Sequence, residues 1–438
     1  MEECGFLRVP FTSECHFDYL RILFNRVTVV IDCHDFDGLG ELTLSDAFRA
    51  LLELTEQEKI ERGVQFTPRE IAQQPATWKT TYERCRDAAS RLQAAIAAAG
   101  VGGSKPATVY LIGAGTSDYV GGALVALLHG RWGCDVSAVA STTLLTEFDQ
   151  FHPAGRNYLW ISISRSGDSP EGVALLTRAL DQHPHIHHLV ITCSQNGAMA
   201  KLCARHPERA TALVLDDAVN DRGLAMTSSF TNMVLAGQCL ANLGDLPRFG
   251  EAVARMTEIG SRFLSKVAEA AATITAQDCP RACFVGSGAL RAAAQESSLK
   301  LVELSAGKVM TMSESALGLR HGPLSSVDGN CLFVAFLSND PRRRGYEVDL
   351  LREIARKQLG RIRAVVTAEP SEEVSKLSEF CLSLDCGTDF PDEYRPVLDV
   401  ILGQMLGLFA SLRYGLKPDQ PSPNGAISRV VMPIQLYS

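Results

Sequence analysis

Residues 284–323 read FVGSGALRAAAQESSLKLVELSAGKVMTMSESALGLRHGP. The apolar start predicts a buried strand, Gly286-Ser287-Gly288 a tight turn, and the residues after it a helix. Strand, glycine turn and helix in that order form the unit of a parallel α/β sheet. On the helix, Glu296, Lys300 and Glu303 are spaced by four and then three residues. At about 100° per residue they fall at roughly 0°, 40° and −20°, one narrow stripe. Leu299, Leu301, Val302 and Leu304 surround the stripe with apolar surface. A helix expected to be largely buried therefore carries two carboxylates and an ammonium. Many Glu–Lys pairs at this spacing only decorate a solvated face. The apolar surroundings and the adjoining glycine turn argue against that here. Arg320-His321-Gly322-Pro323 then supplies a histidine in a turn.

The same order occurs earlier in the chain. Residues 107–112 read as an apolar strand, Gly113-Ala114-Gly115-Thr116-Ser117 as a tight turn, and 119–129 as a helix of small residues. Further strands are expected at 136–140, 158–163, 188–193 and 212–215, with a helix at 172–182. The second set is 283–285, 331–337, 363–367 and 381–384. Gly113 and Gly286 are 173 residues apart, and Leu215 and Leu384 are 169 apart. The fold class is α/β: two tandem doubly wound, flavodoxin-like domains with parallel sheets flanked by helices.

The expected organisation follows from that repeat. Residues 1–42 lack a clear period and read as a small extension, or as sequence upstream of a misplaced start, with poor order expected. Residues 43–84 are a helical segment, in which Ser45-Asp46 caps 47–54 and Thr67 to Pro75 is a capped helix start with a proline stop. A long alanine-rich helix runs over 78–99. The first domain is 85–245 and the second 246–415, joined by helices around 230–275. Residues 416–438 are a Pro- and Gly-rich tail that closes the site and ends in a strand-like segment.

A net charge of −8 and a pI near 5.7 argue against nucleic-acid and anionic-membrane partners. Thirteen dispersed cysteines without a CxxC pair fit reduced thiols and a cytoplasmic location. No uninterrupted apolar run of membrane length and no signal peptide are read. His183, His185, His187 and His188 have a metal-like look, but lie beside Pro184 between a helix and a strand and read as an exposed loop. No metal and no cofactor are expected.

Thr116, Ser117, Ser164, Ser166 and Ser169 each follow a strand and precede a helix. Hydroxyls and backbone N–H groups at helix N-termini suit a dianionic phosphate. The equivalent second loop, Ser338-Asn339-Asp340-Pro341, carries an aspartate that would repel one. One copy is therefore expected to hold phosphate and the other to supply acid and base. The glycine turns are incomplete as dinucleotide fingerprints, since Asp118 and Arg291 stand where the third glycine belongs.

Taken together, the loop Ser164-Arg165-Ser166-Gly167-Asp168-Ser169, the helix Glu296-x3-Lys300-x2-Glu303 and the Arg320-His321-Gly322-Pro323 turn resemble tandem sugar-isomerase (SIS) domain proteins. They are similar to the isomerase half of glucosamine-6-phosphate synthase. The resemblance is closer to the AgaS type, described as galactosamine-6-phosphate deaminase/isomerase or tagatose-6-phosphate ketose/aldose isomerase. It covers roughly residues 45–438 and includes Arg69-Glu70-Ile71-Ala72-Gln73-Gln74-Pro75.

The resemblance implies roles for individual residues. Thr116, Ser117, Ser164, Ser166 and Ser169 would hold a sugar phosphate. Glu303 would move a proton between C2 and C1, and Lys300, braced by Glu296, would stabilise the developing enolate. His321 would open the sugar ring from a neighbouring subunit, so a homodimer or larger homo-oligomer is expected. There are departures. Arg165 replaces a glutamine and adds charge near the phosphate. Ile427 stands near a tail lysine of the synthases, and Ser228 replaces a second lysine. Glu314 and Arg320 are candidate specificity residues.

The expected reaction is deamination of an amino-hexose 6-phosphate, galactosamine 6-phosphate in the first instance, to tagatose 6-phosphate and ammonia. Plain aldose–ketose isomerisation and non-catalytic phosphosugar sensing are the alternatives. A glutamine-dependent synthase is set aside, because no room for a glutaminase domain precedes the first sheet.

Overall fold

The computed structural model of the chain describes residues 45–153, 155–432, 434, 435 and 437. The expected extension over 1–42 lies outside them. The chain enters through α1 (Ser45–Glu53), α2 (Glu56–Arg62), α3 (Thr67–Ala72), α4 (Gln74–Asp87) and α5 (Ala89–Ala98). The helix expected over 78–99 is thus two helices that meet at Ala88. Its apolar face continues across the break through the buried Trp78, Cys85, Leu92 and Ile96. Neither glycine nor proline marks the join. Pro75 does not stop a helix; it sits in the first turn of α4, where its missing N–H costs nothing. Thr67 lies inside α3 and Phe66 takes the cap position, without a side-chain cap bond.

The first sheet is built from β1 (Ala107–Gly113), α6 (Thr116–Trp132), β2 (Asp135–Ala140), α7 (Ser141–Thr146), β3 (Asn157–Ser164), α8 (Pro170–Gln182), β4 (Ile186–Thr192), α9 (Ala198–Arg205) and β5 (Ala210–Val214). Two helices, α10 (Ser228–Ala241) and α11 (Leu246–Ala276), lead to the second. That sheet comprises β6 (Arg281–Gly286), α12 (Leu290–Leu304), β7 (Met310–Glu314), β8 (Cys331–Phe336), α13 (Pro341–Arg356), β9 (Ile362–Thr367), α14 (Glu372–Leu377) and β10 (Phe380–Ser383). The last helix is α15 (Pro396–Arg413).

Both sheets are wholly parallel, ordered β2-β1-β3-β4-β5 and β7-β6-β8-β9-β10. The second order repeats the first strand for strand, as a duplicated doubly wound fold requires. Helices cover both faces, so β3 and β8 are buried almost throughout; β8 is a continuous apolar run, and β3 is one broken only by serine. The two glycine turns also match. A Cβ on Gly113 would meet the Ser117 carbonyl oxygen at 2.4 Å, and one on Gly286 the Leu290 oxygen at 2.4 Å. β7 has no counterpart in the sequence reading, because every one of its residues is at least partly exposed and no apolar alternation shows.

α15 packs against α11 and α12. Among the described residues it is the one helix long and apolar enough to cross a membrane, a run the sequence reading did not register, and it is buried within the fold. It approaches α12 closely: a Cβ on Gly403 would stand 2.4 Å from Ser297 Cα, and one on Gly407 2.8 Å from the Lys300 oxygen. This close seat, with α6 packed on another side, buries the helix that carries the charged stripe. Every described cysteine is a free thiol. The tail over 416–432 is irregular and contains no strand, so the strand-like end expected for it does not form among the described residues.

Candidate active site

Glu296 and Lys300 are 0% and 1% exposed, and Glu303 keeps 23% of its side chain in solvent. Lys300 Nζ lies 2.5 Å from Glu303 Oε2 and 3.4 Å from Glu296 Oε1. Thr116, 180 residues earlier than Glu296, joins them. Its hydroxyl accepts from Lys300 Nζ at 3.1 Å and donates to Glu296 Oε1 at 3.2 Å. The first turn of α6 in one sheet is thereby tied to α12 in the other.

One ammonium cannot neutralise both carboxylates. Burial pushes the Glu296 carboxyl up to about 8, and repulsion from Glu303 adds to this against the attraction of Lys300. Burial alone would depress Lys300, but both glutamates outweigh it and its pKa is raised. The two shifts pull opposite ways on the Glu296–Lys300 contact. The shorter Lys300–Glu303 contact decides the matter: these two form the charged pair, and Glu296 holds the proton. Its Oε2 has no hydrogen-bond partner among the described residues. Tyr119 on α6 lies within their field. Burial first, and then Glu296, Asp118 and Glu303, raise its phenol. Tyr119 is a site neighbour the sequence reading missed.

Glu303 faces a cleft of about 580 Å³ between the C-terminal half of α12 and the tail, whose walls include Leu299, Val302, Leu416, Pro423 and Ile427. Ile427, standing near the lysine of the synthases, is thus a wall of the Glu303 cleft.

The serine loop follows β3, as expected. Ser164 Oγ accepts from Gly167 N at 3.1 Å and Ser166 Oγ from Asp168 N at 3.2 Å. Ser169 precedes α8 without capping it through its side chain, and Gly115 likewise leaves α6 uncapped. Ser117 is buried beside Thr116. The second-sheet counterpart is built differently. Asp340 caps α13 through Arg343 N at 2.9 Å, and Ser338 Oγ is held by the Asp392 carboxylate. The loops after β1 and β3 flank the point where strand order reverses, where ligands bind in such sheets.

Arg165 is not free beside the serines. Its guanidinium donates to the carbonyls of Gly223, Leu224 and Arg429, at 3.5, 3.3 and 2.6 Å. Arg429 in turn donates to the Asp221 carbonyl at 2.7 Å and to Asn220 Oδ1 at 2.8 Å. Asp419 accepts from Thr67 N and Oγ1, both at 2.7 Å. Glu70 accepts from the backbone N–H groups of Arg222 and Gly223. Glu70 therefore anchors the 222–223 backbone that Arg165 also grips, and Arg429 and Asp419 tie the tail to the same region. Ser228, at the position of the missing lysine, donates to Asp221 Oδ1 at 2.5 Å.

Three candidate residues lie apart from the glutamate–lysine cluster. Glu314, at the end of β7, accepts from Ser315 N at 2.7 Å and pairs with Arg291 at 3.4 Å. Arg320 pairs with Glu353 at 2.9 Å. His321 is exposed, and among the described residues its ring makes no hydrogen bond or ion pair. Of the histidine group, His188 is buried on β4, whereas His183 and His185 lie beside His152.

No protein-family model matches the chain. The chain is 37% identical to AgaS of Streptomyces coelicolor, provisionally described as a D-galactosamine-6-phosphate deaminase, over 85% of this chain and 95% of that one. D-galactosamine-6-phosphate deaminase AgaS of Escherichia coli is 32% identical over the same shares. Among solved structures, a protein of Clostridium novyi NT, provisionally described as a tagatose-6-phosphate ketose/aldose isomerase, has a TM-score of 0.83 at 30% identity. The match covers 88% of this chain and 98% of that one.

Proposed function

The chain belongs to the AgaS family of sugar-phosphate deaminases and isomerases, and we propose that it converts galactosamine 6-phosphate to tagatose 6-phosphate and ammonia. The observation that carries this reading is the Lys300–Glu303 pair, 2.5 Å apart, with Glu303 on the wall of the cleft. Proton transfer next to a carbonyl requires a positioned base and a nearby cation for the charge that develops.

The phosphate sits among the hydroxyls of Ser117, Ser164, Ser166 and Ser169 and the uncapped starts of α6 and α8. His321 of a neighbouring copy assists ring opening, which exposes the C1 aldehyde. Glu303 removes the C2 proton, Lys300 stabilises the enolate oxygen on C1, and Glu303 returns the proton to C1. The C1 oxygen takes a proton from the C2 nitrogen, so C1 becomes a hydroxymethyl group and C2 a ketimine. Water adds to C2, and ammonia leaves with the C–N electron pair. One water is consumed and one ammonia released per sugar. Protonated Glu296 and Thr116 hold Lys300 in place.

Plain interconversion of galactose 6-phosphate and tagatose 6-phosphate is the second reading. It is favoured by the description of the Clostridium novyi structure and by residues that would enolise either sugar. The test is a panel of hexose and hexosamine 6-phosphates scored for ketose and for free ammonia. Stoichiometric ammonia from galactosamine 6-phosphate is expected. Background ammonia alongside rapid conversion of galactose 6-phosphate would leave the isomerase alone standing.

A further inference from the structure

We propose that His152, His183 and His185 form a binding site for a zinc-class divalent cation at the end of the first sheet opposite the catalytic helix. His152 lies in the loop before β3, and His183 and His185 in the turn from α8 into β4. These segments enter the sheet at the amino ends of its strands, whereas Thr116 and Ser164 to Ser169 follow the carboxyl ends. The cluster is therefore separate from the phosphosugar site.

The geometry is close to that of a bound trio. One ring nitrogen from each histidine lies within 4.8 Å of the other two. Ring centroids are 4.2 Å apart for His152–His183, 5.8 Å for His152–His185 and 5.9 Å for His183–His185. Tetrahedral zinc at about 2.1 Å from each nitrogen would set the nitrogens about 3.4 Å and the centroids about 5 Å apart. Rotation of the exposed His185 ring supplies the closure.

A second observation points to an absent ligand. His152 Nε2 is shielded from solvent and has no hydrogen-bond partner among the described residues; the Asp149 carboxylate is 3.9 Å away. Buried ring nitrogens ordinarily find a partner. Phe148 packs against His152 and His183, at 5.1 and 5.0 Å between centroids, and holds both rings in place.

Three imidazoles select zinc, copper or nickel over magnesium or calcium. The fourth position is left to water, because the Asp149 carboxylate is already paired with Arg178 at 3.0 Å. Such a cation would staple His152 to the end of α8, bracing from below the two elements that carry Ser164 and Ser169.

The test uses the full chain, stripped with a chelator and titrated with Zn²⁺ by calorimetry. One equivalent per chain is expected, with a melting temperature that rises with Zn²⁺. Affinity should fall about a hundredfold in H185Q and in H183Q. The Co²⁺ form should show visible bands of tetrahedral nitrogen coordination that disappear in both variants. His185 is exposed, so H185Q keeps the test open if H183Q fails to fold. Zn²⁺ affinity unchanged in H185Q, or no saturable binding by the native chain, would overturn the proposal.

Discussion

Thr116 Oγ1 stands between Lys300 Nζ, at 3.1 Å, and Glu296 Oε1, at 3.2 Å, and so joins the two halves of the duplicated fold through one hydroxyl. It satisfies a buried ammonium and a buried carboxyl together. Thr116→Val keeps the shape and removes the hydroxyl. A loss of about 1–3 kcal/mol in urea unfolding is expected from the unpaired groups. A fall in kcat with little change in KM should accompany it, and Thr116→Ser should restore both. A valine variant as stable and active as the native chain would show that the hydroxyl is not a joint.

The charged stripe was legible because helical period alone aligns Glu296, Lys300 and Glu303. The duplicated sheet was legible because strands buried on both faces leave apolar runs bounded by glycine turns. Thr116 was read as a phosphate ligand, yet its bonds to α12 depend on packing across 180 residues, which no local pattern records. Arg165 was read as a phosphate charge for the same reason; the carbonyls that engage it come from 223–224 and the tail. β7 escaped because it lies at a sheet edge and buries little. His183 and His185 do lie in the expected connection, but their grouping with His152 was not legible, because His152 approaches them only through the fold.

Glu296 makes the stability of the fold pH-dependent. The folded acid keeps its proton up to about 8, whereas the unfolded chain releases it near 4.5. Between those values the native state binds more protons, so this group's contribution is full below about 4.5 and declines as pH rises through 8. Glu70, also pushed up to about 8 by burial and Asp221, acts in the same direction. Glu296→Gln cannot ionise and should flatten, without abolishing, the decline in urea midpoint between about pH 5 and 8. Parallel curves for the two proteins would mean that Glu296 is already ionised in the fold.

The tail should respond to loss of Arg429. That side chain donates to Asp221 O and Asn220 Oδ1, and its own carbonyl accepts from Arg165. Tail residues also form one wall of the Glu303 cleft. Arg429→Ala should make the tail sensitive to limited proteolysis while the two sheets stay intact, and raise KM several-fold. Native protease resistance together with native KM would place closure of the cleft elsewhere.

His321 offers a test of how copies of the chain cooperate. Its exposed ring has no partner among the described residues of its own chain, while Glu303 faces a cleft in the same chain. If each site takes Glu303 from one copy and His321 from its neighbour, the two single variants complement each other. Glu303→Gln should lose proton exchange at C1 and C2 of the sugar, by about a hundredfold or more, while still binding sugar phosphate. His321→Ala should be slow with ring-closed substrate. Unfolded together and refolded as a mixture, the two should form mixed dimers in which one site in two is intact. Random pairing then restores about a quarter of native activity. Activity in the mixture no higher than the sum of the separate variants would mean that His321 serves its own chain or no site at all.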